Sequence, residues 1–223
     1  MVKDKMLEDY LQGCWEAADN LPNFKKDPRL TKIWEHASRR TGEFWRRHIL
    51  ADNPWLFDLP RIFDNDKVGN PDIHQYDGIN ASANTLQYIG VLSNLISRFG
   101  SLNKFHIVEI GGGYGGQALI IKTVFPRCHY TIIDLPNAER LQRSYLSAHN
   151  KGSQSPMDLW DLCISNYALS EIKDPLQTEY VEKYCKKSSH GYVTANIEIP
   201  SLDWGSRGND IPTERETNFL ITW

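Results

Sequence analysis

A run of glycines between two apolar segments constrains the fold of this chain more than any other feature. Residues 105–117 read FHIVEIGGGYGGQ, and the apolar residues 118–124 follow them. Gly111, Gly113 and Gly116 fit the spacing G-x-G-x-x-G. Glycines permit a sharp turn and let a ligand approach the backbone closely. A strand, a glycine turn and a helix in this order predict a βα unit whose turn borders a nucleotide-type ligand. A tight turn without a ligand is the simpler alternative.

The second half of the chain alternates short β-type runs with helical ones. The expected strands are residues 105–110, 130–134, 159–165 and 191–197. Such alternation predicts βαβ units and a mainly parallel sheet. We therefore assign residues 101–223 to an α/β domain.

Two features indicate that this sheet is small. After a helix over residues 139–149, only the polar residues 150–157 precede Asp158, so a strand there is expected to be missing or vestigial. After Ile197, the remaining residues suffice for a final strand over 218–223 and one short partner, but not for a full helix between them.

The first hundred residues are predicted to form a helical cap that covers the cofactor edge of the sheet and contributes to the substrate region. Leu7, Tyr10, Leu11 and Cys14 form one apolar helical stripe. A second helix is expected to begin at Asp27-Pro28 and to bury Ile33, Trp34 and Ala37. Residues 53–77 are rich in Pro, Asn and Asp and predict a loop, and a further helix is expected over 82–99, ended by Gly100.

Charge and composition narrow the classes of partner. Lys and Arg total 25 against 28 Asp and Glu, which argues against nucleic acid as the main partner. No apolar run reaches the roughly 18 residues that cross a bilayer, and the N-terminal residues lack an apolar signal region. We therefore expect a cytoplasmic protein without a membrane partner. The four scattered cysteines predict buried thiols. The sequence neither supports nor excludes a bound divalent metal ion.

Glu109, two residues before the first glycine, guides the choice of nucleotide. A carboxylate at the mouth of the loop would repel the pyrophosphate of a dinucleotide. S-adenosylmethionine carries a sulfonium and an ammonium but no phosphate, so an acidic strand end suits it better. Asp134, at the end of the next strand, can accept hydrogen bonds from both ribose hydroxyls. Its alternative role is to cap the helix that follows Pro136.

These motifs make the chain resemble a class I S-adenosylmethionine-dependent methyltransferase, and most closely a sugar O-methyltransferase family. The resemblance rests on residues 108–116 (VEIGGGYGG), 132–136 (IIDLP) and 161–171 (DLCISNYALSE), with looser matches at 82–89 and 191–196. It implies a Rossmann-like sheet, S-adenosylmethionine as methyl donor and a sugar hydroxyl as acceptor. The cofactor-binding residues expected on this basis are Glu109, Gly111, Gly113, Tyr114, Gly115, Asp134, Leu135 and Asn166.

Catalytic residues are expected at the carboxyl ends of the strands, where ligands of open α/β sheets bind. This criterion disfavours His106, His129 and His190, which lie at strand beginnings. Glu171 is the first candidate for a base or a metal-coordinating acid, although a carboxylate on a helix face is an equal alternative. His74 is the second candidate, with a surface histidine in a loop as its alternative. Tyr167 and Asn196 are expected to contact the acceptor.

Two surface patterns have simpler explanations than a binding site. Arg39, Arg40, Arg46 and Arg47 could meet a phosphorylated sugar, but a solvated helix face explains them better. Trp34, Phe44 and Trp45 lie at helical spacing and predict core or an interface with a second subunit, so a homodimer stays open.

The sequence thus favours an S-adenosylmethionine-dependent O-methyltransferase that acts on a sugar hydroxyl of a glycan, glycoside or nucleotide-sugar. The segment after Ile164 lacks the N-P-P-[FY] element, which argues against methylation of a nitrogen. Two alternatives stay open. One is a degenerate, non-catalytic methyltransferase fold that serves as a partner or scaffold. The other is a nicotinamide-dependent oxidoreductase.

Overall fold

The computed structural model describes residues 2–151, 159–209 and 218–223. The chain divides into two compact units. Unit 1 comprises residues 1–101, 113–126 and 135–152. Unit 2 comprises residues 102–112, 127–134 and 153–223. The predicted two-domain division near residue 100 stays a prediction.

Unit 1 is built mainly of helices and has one β-hairpin. Its helices are α1 (Val2–Asp19), α2 (Pro28–Thr31), α3 (Arg39–Asp52), α4 (Ala83–Phe99), α5 (Gly116–Val124) and α6 (Pro136–Ala148). Its strands are β1 (Ile73–Tyr76) and β2 (Ile79–Ser82). Three short 3-10 helices span Leu21–Lys26, Pro54–Asp58 and Asp64–Lys67.

The helix ends of unit 1 follow the capping residues in the sequence. Asp27 Oδ1 accepts a hydrogen bond from the backbone N–H of Arg29 at 2.9 Å, so α2 begins where the Asp-Pro pair predicts. Ser82 caps α4 in the same way, and Gly100, at φ +70°, ends it. However, α2 is only four residues long, so the predicted inward stripe is wrong in part: Trp34 is buried, but Ile33 is 38% exposed.

The hairpin corrects the prediction of a loop over residues 53–77. Strand β1 pairs antiparallel with β2, and Asp77 and Gly78 connect them with φ values of +43° and +88°. Two consecutive residues with positive φ match the right-handed twist of paired strands, which is why Asp-Gly favours a hairpin. The dipeptide was therefore a strand signal within a stretch that composition alone predicts to be irregular.

Unit 2 contains a six-stranded sheet. Its strands are β3 (His106–Ile110), β4 (His129–Ile133), β5 (Trp160–Asn166), β6 (Ser188–Ala195), β7 (Ser206–Asn209) and β8 (Phe219–Thr222). The spatial order is β4-β3-β5-β6-β8-β7, with the first four strands parallel and β8 antiparallel to both of its neighbours. Two short helices, α7 (Ala168–Glu171) and α8 (Leu176–Tyr180), and a π-helical turn over Val181–Cys185 follow β5. The predicted α/β class with a mostly parallel, Rossmann-like sheet is confirmed.

One face of this sheet carries the core of unit 2. Val108 and Ile110 of β3 pack there with Cys163 and Leu169, and with Phe219 and Ile221 of β8. The intervening residues Ile107 and Glu109 point to the opposite face, because side chains alternate along a strand. The period of two thus decides that Glu109 and Ile110, although adjacent, lie on different faces.

The two predicted reductions of the sheet concern segments that lie partly outside the described residues, so both stay predictions. Between β4 and β5 the structure describes α6 and no strand, although residues 152–158 lie outside the described ranges. After β6, residues 196–209 and 218–223 contain β7 and β8 and no helix. The predicted strand over 218–223 is confirmed as β8. All four cysteines are buried thiols, and no helix in the described ranges is long and apolar enough to span a bilayer.

Candidate functional site

The strand order of unit 2 creates a switch point between β3 and β5. From β3 the chain proceeds outward to β4, and later returns to the other side of β3 as β5. The connections that leave the carboxyl ends of the two neighbouring strands run in opposite directions at such a point and leave a crevice where ligands bind. Gly111 follows β3, Asp134 follows β4, and Asn166 ends β5. Three predicted site residues therefore lie at the edge where such a fold binds its ligand.

Steric constraints explain the first glycines of the turn. Gly111 has φ +75°, and a Cβ atom there would lie 2.0 Å from Cβ of Ala168. A Cβ atom on Gly112 would lie 2.5 Å from Cγ2 of Ile132. The backbone N–H of Gly111 donates to the carbonyl of Ile133 at 2.9 Å, so the turn stays attached to β4. Close backbone approach therefore requires glycine at both positions.

The side chain of Glu109 is buried beneath this turn. It is 2% exposed, and its Oε2 accepts a hydrogen bond of 3.0 Å from the hydroxyl of Tyr130. Burial, reinforced by the negative charge of Asp134 and opposed by the Tyr130 hydrogen bond, raises the pKa of Glu109 to about 8. The acid is therefore mainly protonated at neutral pH. The prediction that Glu109 is a charged carboxylate at the mouth of the loop is wrong. Strand alternation turns this side chain into the interior.

Asp134 supplies the acidic group at the end of β4. It is half-buried, and its negative charge contributes to raising the pKa of both Glu109 and Tyr180, beside burial, which is the largest cause for each. Helix α6 begins at Pro136 with Leu135 as its N-cap residue. Asp134 therefore lies one residue before the N-cap position.

Tyr167 adopts a strained backbone conformation directly after β5. Its φ and ψ are +69° and −28°, in the left-handed region that residues with a side chain seldom occupy. Its N–H donates to the carbonyl of Thr194 at 2.9 Å, and its carbonyl accepts from Oγ of Ser170 at 2.7 Å. Asn218 Nδ2 lies 3.5 Å from its hydroxyl oxygen. Strain of this kind persists where surrounding contacts determine it, and it clusters at functional sites.

Glu171 and Asn196 form a second polar group near the same edge. Asn196 Nδ2 donates to Oε1 of Glu171 at 3.3 Å, and its Oδ1 accepts from Oγ of Ser170 at 2.9 Å. Glu171 is exposed, whereas Ser170 is buried. The structure thus brings two predicted residues, Glu171 and Asn196, into contact. Ser170 and Asn218 were missed because no motif marks a serine or asparagine that acts through its neighbours.

The charge of this edge is acidic. The five residues that follow each of the strands β3, β4, β5 and β6 include Asp134, Glu171 and Glu198 and contain no Lys or Arg. Glu198 is paired with Arg207 through two hydrogen bonds of 2.7 and 2.9 Å. Without Lys or Arg, these strand ends offer a diphosphate only backbone N–H groups, whereas their carboxylates attract a cation.

Five predicted residues belong to unit 1. Gly113 and Gly115 have φ values of +57° and +96°, so both need glycine. The side chain of Tyr114 is fully buried, which leaves only its backbone for contact with a ligand, and Leu135 is 41% exposed. His74 lies half-buried on β1, with its ring centroid 6.1 Å from that of Tyr76. A catalytic role for His74 stays a prediction.

Metal ligands were also considered. In the described ranges, no group of three or more His, Cys, Asp or Glu side chains is arranged to hold a metal ion. The predicted buried thiols of Cys163 and Cys185 lie 3.8 Å apart, sulfur to sulfur. Neither observation adds a metal to the site.

Compared by sequence, the chain matches no family profile and no curated protein. Compared by structure, it resembles precorrin-6y C5,15-methyltransferase from Geobacter metallireducens, with 11% identity, 59% of this chain and 86% of that chain covered, and a TM-score of 0.43. It also resembles the mitomycin 7-O-methyltransferase MmcR, with 13% identity, 63% and 56% covered, and a TM-score of 0.42. PKMT2 from Rickettsia typhi, solved in complex with AdoHcy, matches with 15% identity, 42% and 21% covered, and a TM-score of 0.37.

These likenesses cover part of the chain at low identity. This chain spans about half of the mitomycin enzyme and about a fifth of PKMT2.

Proposed function

We propose that this protein binds S-adenosylmethionine at the switch point of unit 2 and transfers its methyl group to an oxygen nucleophile. The observation that carries the proposal is the acidic edge: strand ends that carry Asp134 and Glu171 and lack Lys and Arg adjoin a glycine turn. A sulfonium nucleoside brings positive charge and no phosphate, so its charge complements this edge.

The residues of unit 2 fit this cofactor. Ala168 and Ile132 leave no room for side chains at Gly111 and Gly112, and at the half-buried Gly111 no side chain shields the backbone from a ligand. In this proposal the carboxylate of Asp134 accepts hydrogen bonds from the two ribose hydroxyls, and Asn166 contacts the methionine part. The neutral form of Glu109 supports the turn from below, which is compatible with a cation above it.

The acceptor is proposed to be a sugar hydroxyl. Tyr167, Asn196 and Asn218 offer a phenol and two amides, which are groups that hydrogen-bond to neutral hydroxyls. Asn196 and Asn218 contact Glu171 and Tyr167 respectively, so these side chains form two adjacent pairs at the ends of β5 and β6 and the start of β8. A neutral polyol suits such a set better than a charged acceptor does.

S-adenosylmethionine, when bound, supplies an electrophilic methyl carbon. The protein's own part is to hold the acceptor oxygen in line with that carbon and to accept its proton. Glu171 is the proposed proton acceptor, because it is exposed and Asn196 fixes its Oε1. Tyr167 and Asn196 orient the acceptor. Catalysis on this account is mainly positioning, to which proton transfer adds about 10²- to 10⁴-fold.

Incubation of the purified protein with methyl-labelled S-adenosylmethionine and a panel of acceptors tests the proposal. The panel includes deoxysugars, nucleotide-sugars, glycosides and glycans, and mass spectrometry locates the label. We expect label on a hydroxyl of at least one sugar. Saturable cofactor binding without label on any acceptor would instead favour the non-catalytic scaffold, and label on a nitrogen would contradict the acceptor class.

A further inference from the structure

Tyr114, inside the glycine run, is the centre of the aromatic core of unit 1. Four rings surround it at centroid distances of 5.1 Å (Tyr145), 5.2 Å (Phe24), 5.4 Å (Trp34) and 6.1 Å (Tyr88). Its neighbour Gly113 has φ +57°, and a Cβ atom there would lie 3.1 Å from the indole of Trp34. The position of this one side chain therefore sets the path of the backbone from Gly113 to Gly116.

A buried ammonium group lies against the same ring. Lys25 is 2% exposed, and its Nζ is 4.6 Å from the ring centroid of Tyr114 and 5.5 Å from that of Tyr145. The Nζ also donates a hydrogen bond of 2.6 Å to the carbonyl of Asn65. A cation over an aromatic face is attracted by the negative face of the ring, and more strongly where water is excluded.

The hydroxyl of Tyr114 is held at its other end. It donates to Oε1 of Glu35 at 2.8 Å and accepts from Nδ2 of Asn65 at 3.2 Å. Asn65 is itself fixed, because its Oδ1 accepts from the hydroxyl of Tyr145 at 2.7 Å. Ring face and hydroxyl are thus both bound by polar groups that come from distant parts of the sequence.

Burial of this lysine opposes folding at neutral pH. Desolvation lowers the pKa of Lys25 to about 8, against the opposing effect of the negative charges of Glu35 and Asp66. Buried charged groups and their partners, replaced together by apolar side chains of similar size, often leave the stability unchanged. Stability alone therefore does not explain why an ammonium occupies this position.

We propose that Lys25, Glu35 and Asn65 are positioning residues that lock Tyr114 and so fix the conformation of the glycine run from Gly113 to Gly116. Through the continuous chain, this lock sets the affinity for the cofactor, a consequence that rests on the proposed function. The residues touch no ligand themselves. They act by restricting the backbone of the turn.

Hydrogen–deuterium exchange of the Lys25→Met variant tests the lock. Met keeps the length of the buried chain and removes the charge and the donor. We expect amide exchange of the peptide containing residues 113–117 to increase about tenfold, while exchange of strand β5 (Trp160–Asn166) in unit 2 stays the same. Cofactor affinity, measured by calorimetry, should fall about tenfold, the size of one lost polar contact. At saturating cofactor and acceptor, kcat should be unchanged.

Two further variants sharpen the test. Lys26→Met is the matched control, because the neighbouring Lys26 is exposed and pairs with Asp72, and it should leave exchange and affinity unchanged. Tyr114→Phe keeps every ring and loses only the hydroxyl bonds, so it should loosen the same peptide even if Lys25→Met fails to fold.

The outcomes separate the lock from the proposed function. Unchanged exchange of residues 113–117 in both Lys25→Met and Tyr114→Phe would contradict the proposal that the contacts of Tyr114 fix the glycine run. A wild-type protein that binds no cofactor, with exchange still increased in the variants, would contradict the proposed function and leave the lock standing.

Discussion

The hydroxyl of Tyr130 on β4 donates a hydrogen bond of 3.0 Å to Oε2 of Glu109 on the adjacent strand β3. Both residues are buried, and the pKa of Glu109 is raised to about 8, chiefly by burial. This pair joins the two strands directly below the glycine turn. The protonation state of Glu109 is therefore expected to affect the residues of the candidate site.

Glu109→Gln should remove a pH dependence of stability. Glu109 has a folded pKa of about 8 against an ordinary value of 4.5, so the folded protein binds more protons in this range. The stabilisation that protonated Glu109 gives the folded state is complete below pH 4.5. It is lost as the pH rises from 4.5 to 8, at about 1.4 kcal/mol per pH unit. Urea unfolding at pH 5, 6.5 and 8 should show the wild type losing stability relative to Glu109→Gln. A constant difference across that range would contradict the buried acid.

Asp134→Ala should weaken cofactor binding by about 1.5 to 3 kcal/mol, the range for hydrogen bonds to a charged group, or about 10- to 150-fold in Kd. Calorimetry with S-adenosylmethionine and S-adenosylhomocysteine measures it. Asp161→Asn is the matched control, because Asp161 lies near the beginning of β5, bonded to the N–H of His106 at 2.7 Å. An equal loss in both variants would point to general damage rather than to a ribose contact.

Gly111→Ala should destabilise the protein by about 2 to 5 kcal/mol, because it combines a positive φ with an overlap against Ala168. Gly208→Ala is the control for the same chemical change, since a Cβ atom there meets nothing within 4 Å. Chemical denaturation of both variants measures the difference. Equal stabilities would show that the turn at Gly111 has more room than the structure gives it.

Glu171→Gln should lower kcat by about 10²- to 10⁴-fold and leave cofactor affinity unchanged, because Gln keeps the contact with Asn196 but cannot accept a proton. Glu179→Gln, an exposed position on α8, should change neither quantity. Steady-state rates with the acceptor found in the labelling experiment test this. Full activity of Glu171→Gln would transfer the role of base to another residue, with His74 as the next candidate.

Much of the fold could be predicted because its signals are local. The alternation of strands and helices predicts the parallel sheet, and Asp27, Ser82 and Gly100 mark helix ends at the positions where the structure has them. The hairpin at Ile73–Ser82 was missed because composition outweighed the Asp77-Gly78 signal. Helix α2 is shorter than its apolar pattern indicates, since tertiary packing decides how far such a pattern continues.

The sequence predicted which residues lie at the candidate site. It could not predict how buried these residues are or which side chains contact them. The rule that ligands bind at the carboxyl ends of parallel strands placed Gly111, Asp134 and Asn166 at one edge. The same rule could not reveal that Glu109 is buried against Tyr130, or that Lys25 and Glu35 hold Tyr114. Those contacts join residues far apart in sequence, and only the folded chain specifies them.

Calorimetric titration of the purified protein with S-adenosylmethionine and, separately, with NAD distinguishes the proposed cofactor from a dinucleotide. We expect saturable binding of S-adenosylmethionine that weakens in Asp134→Ala, and no saturable binding of NAD. Saturable binding of NAD without binding of S-adenosylmethionine would contradict the proposed function.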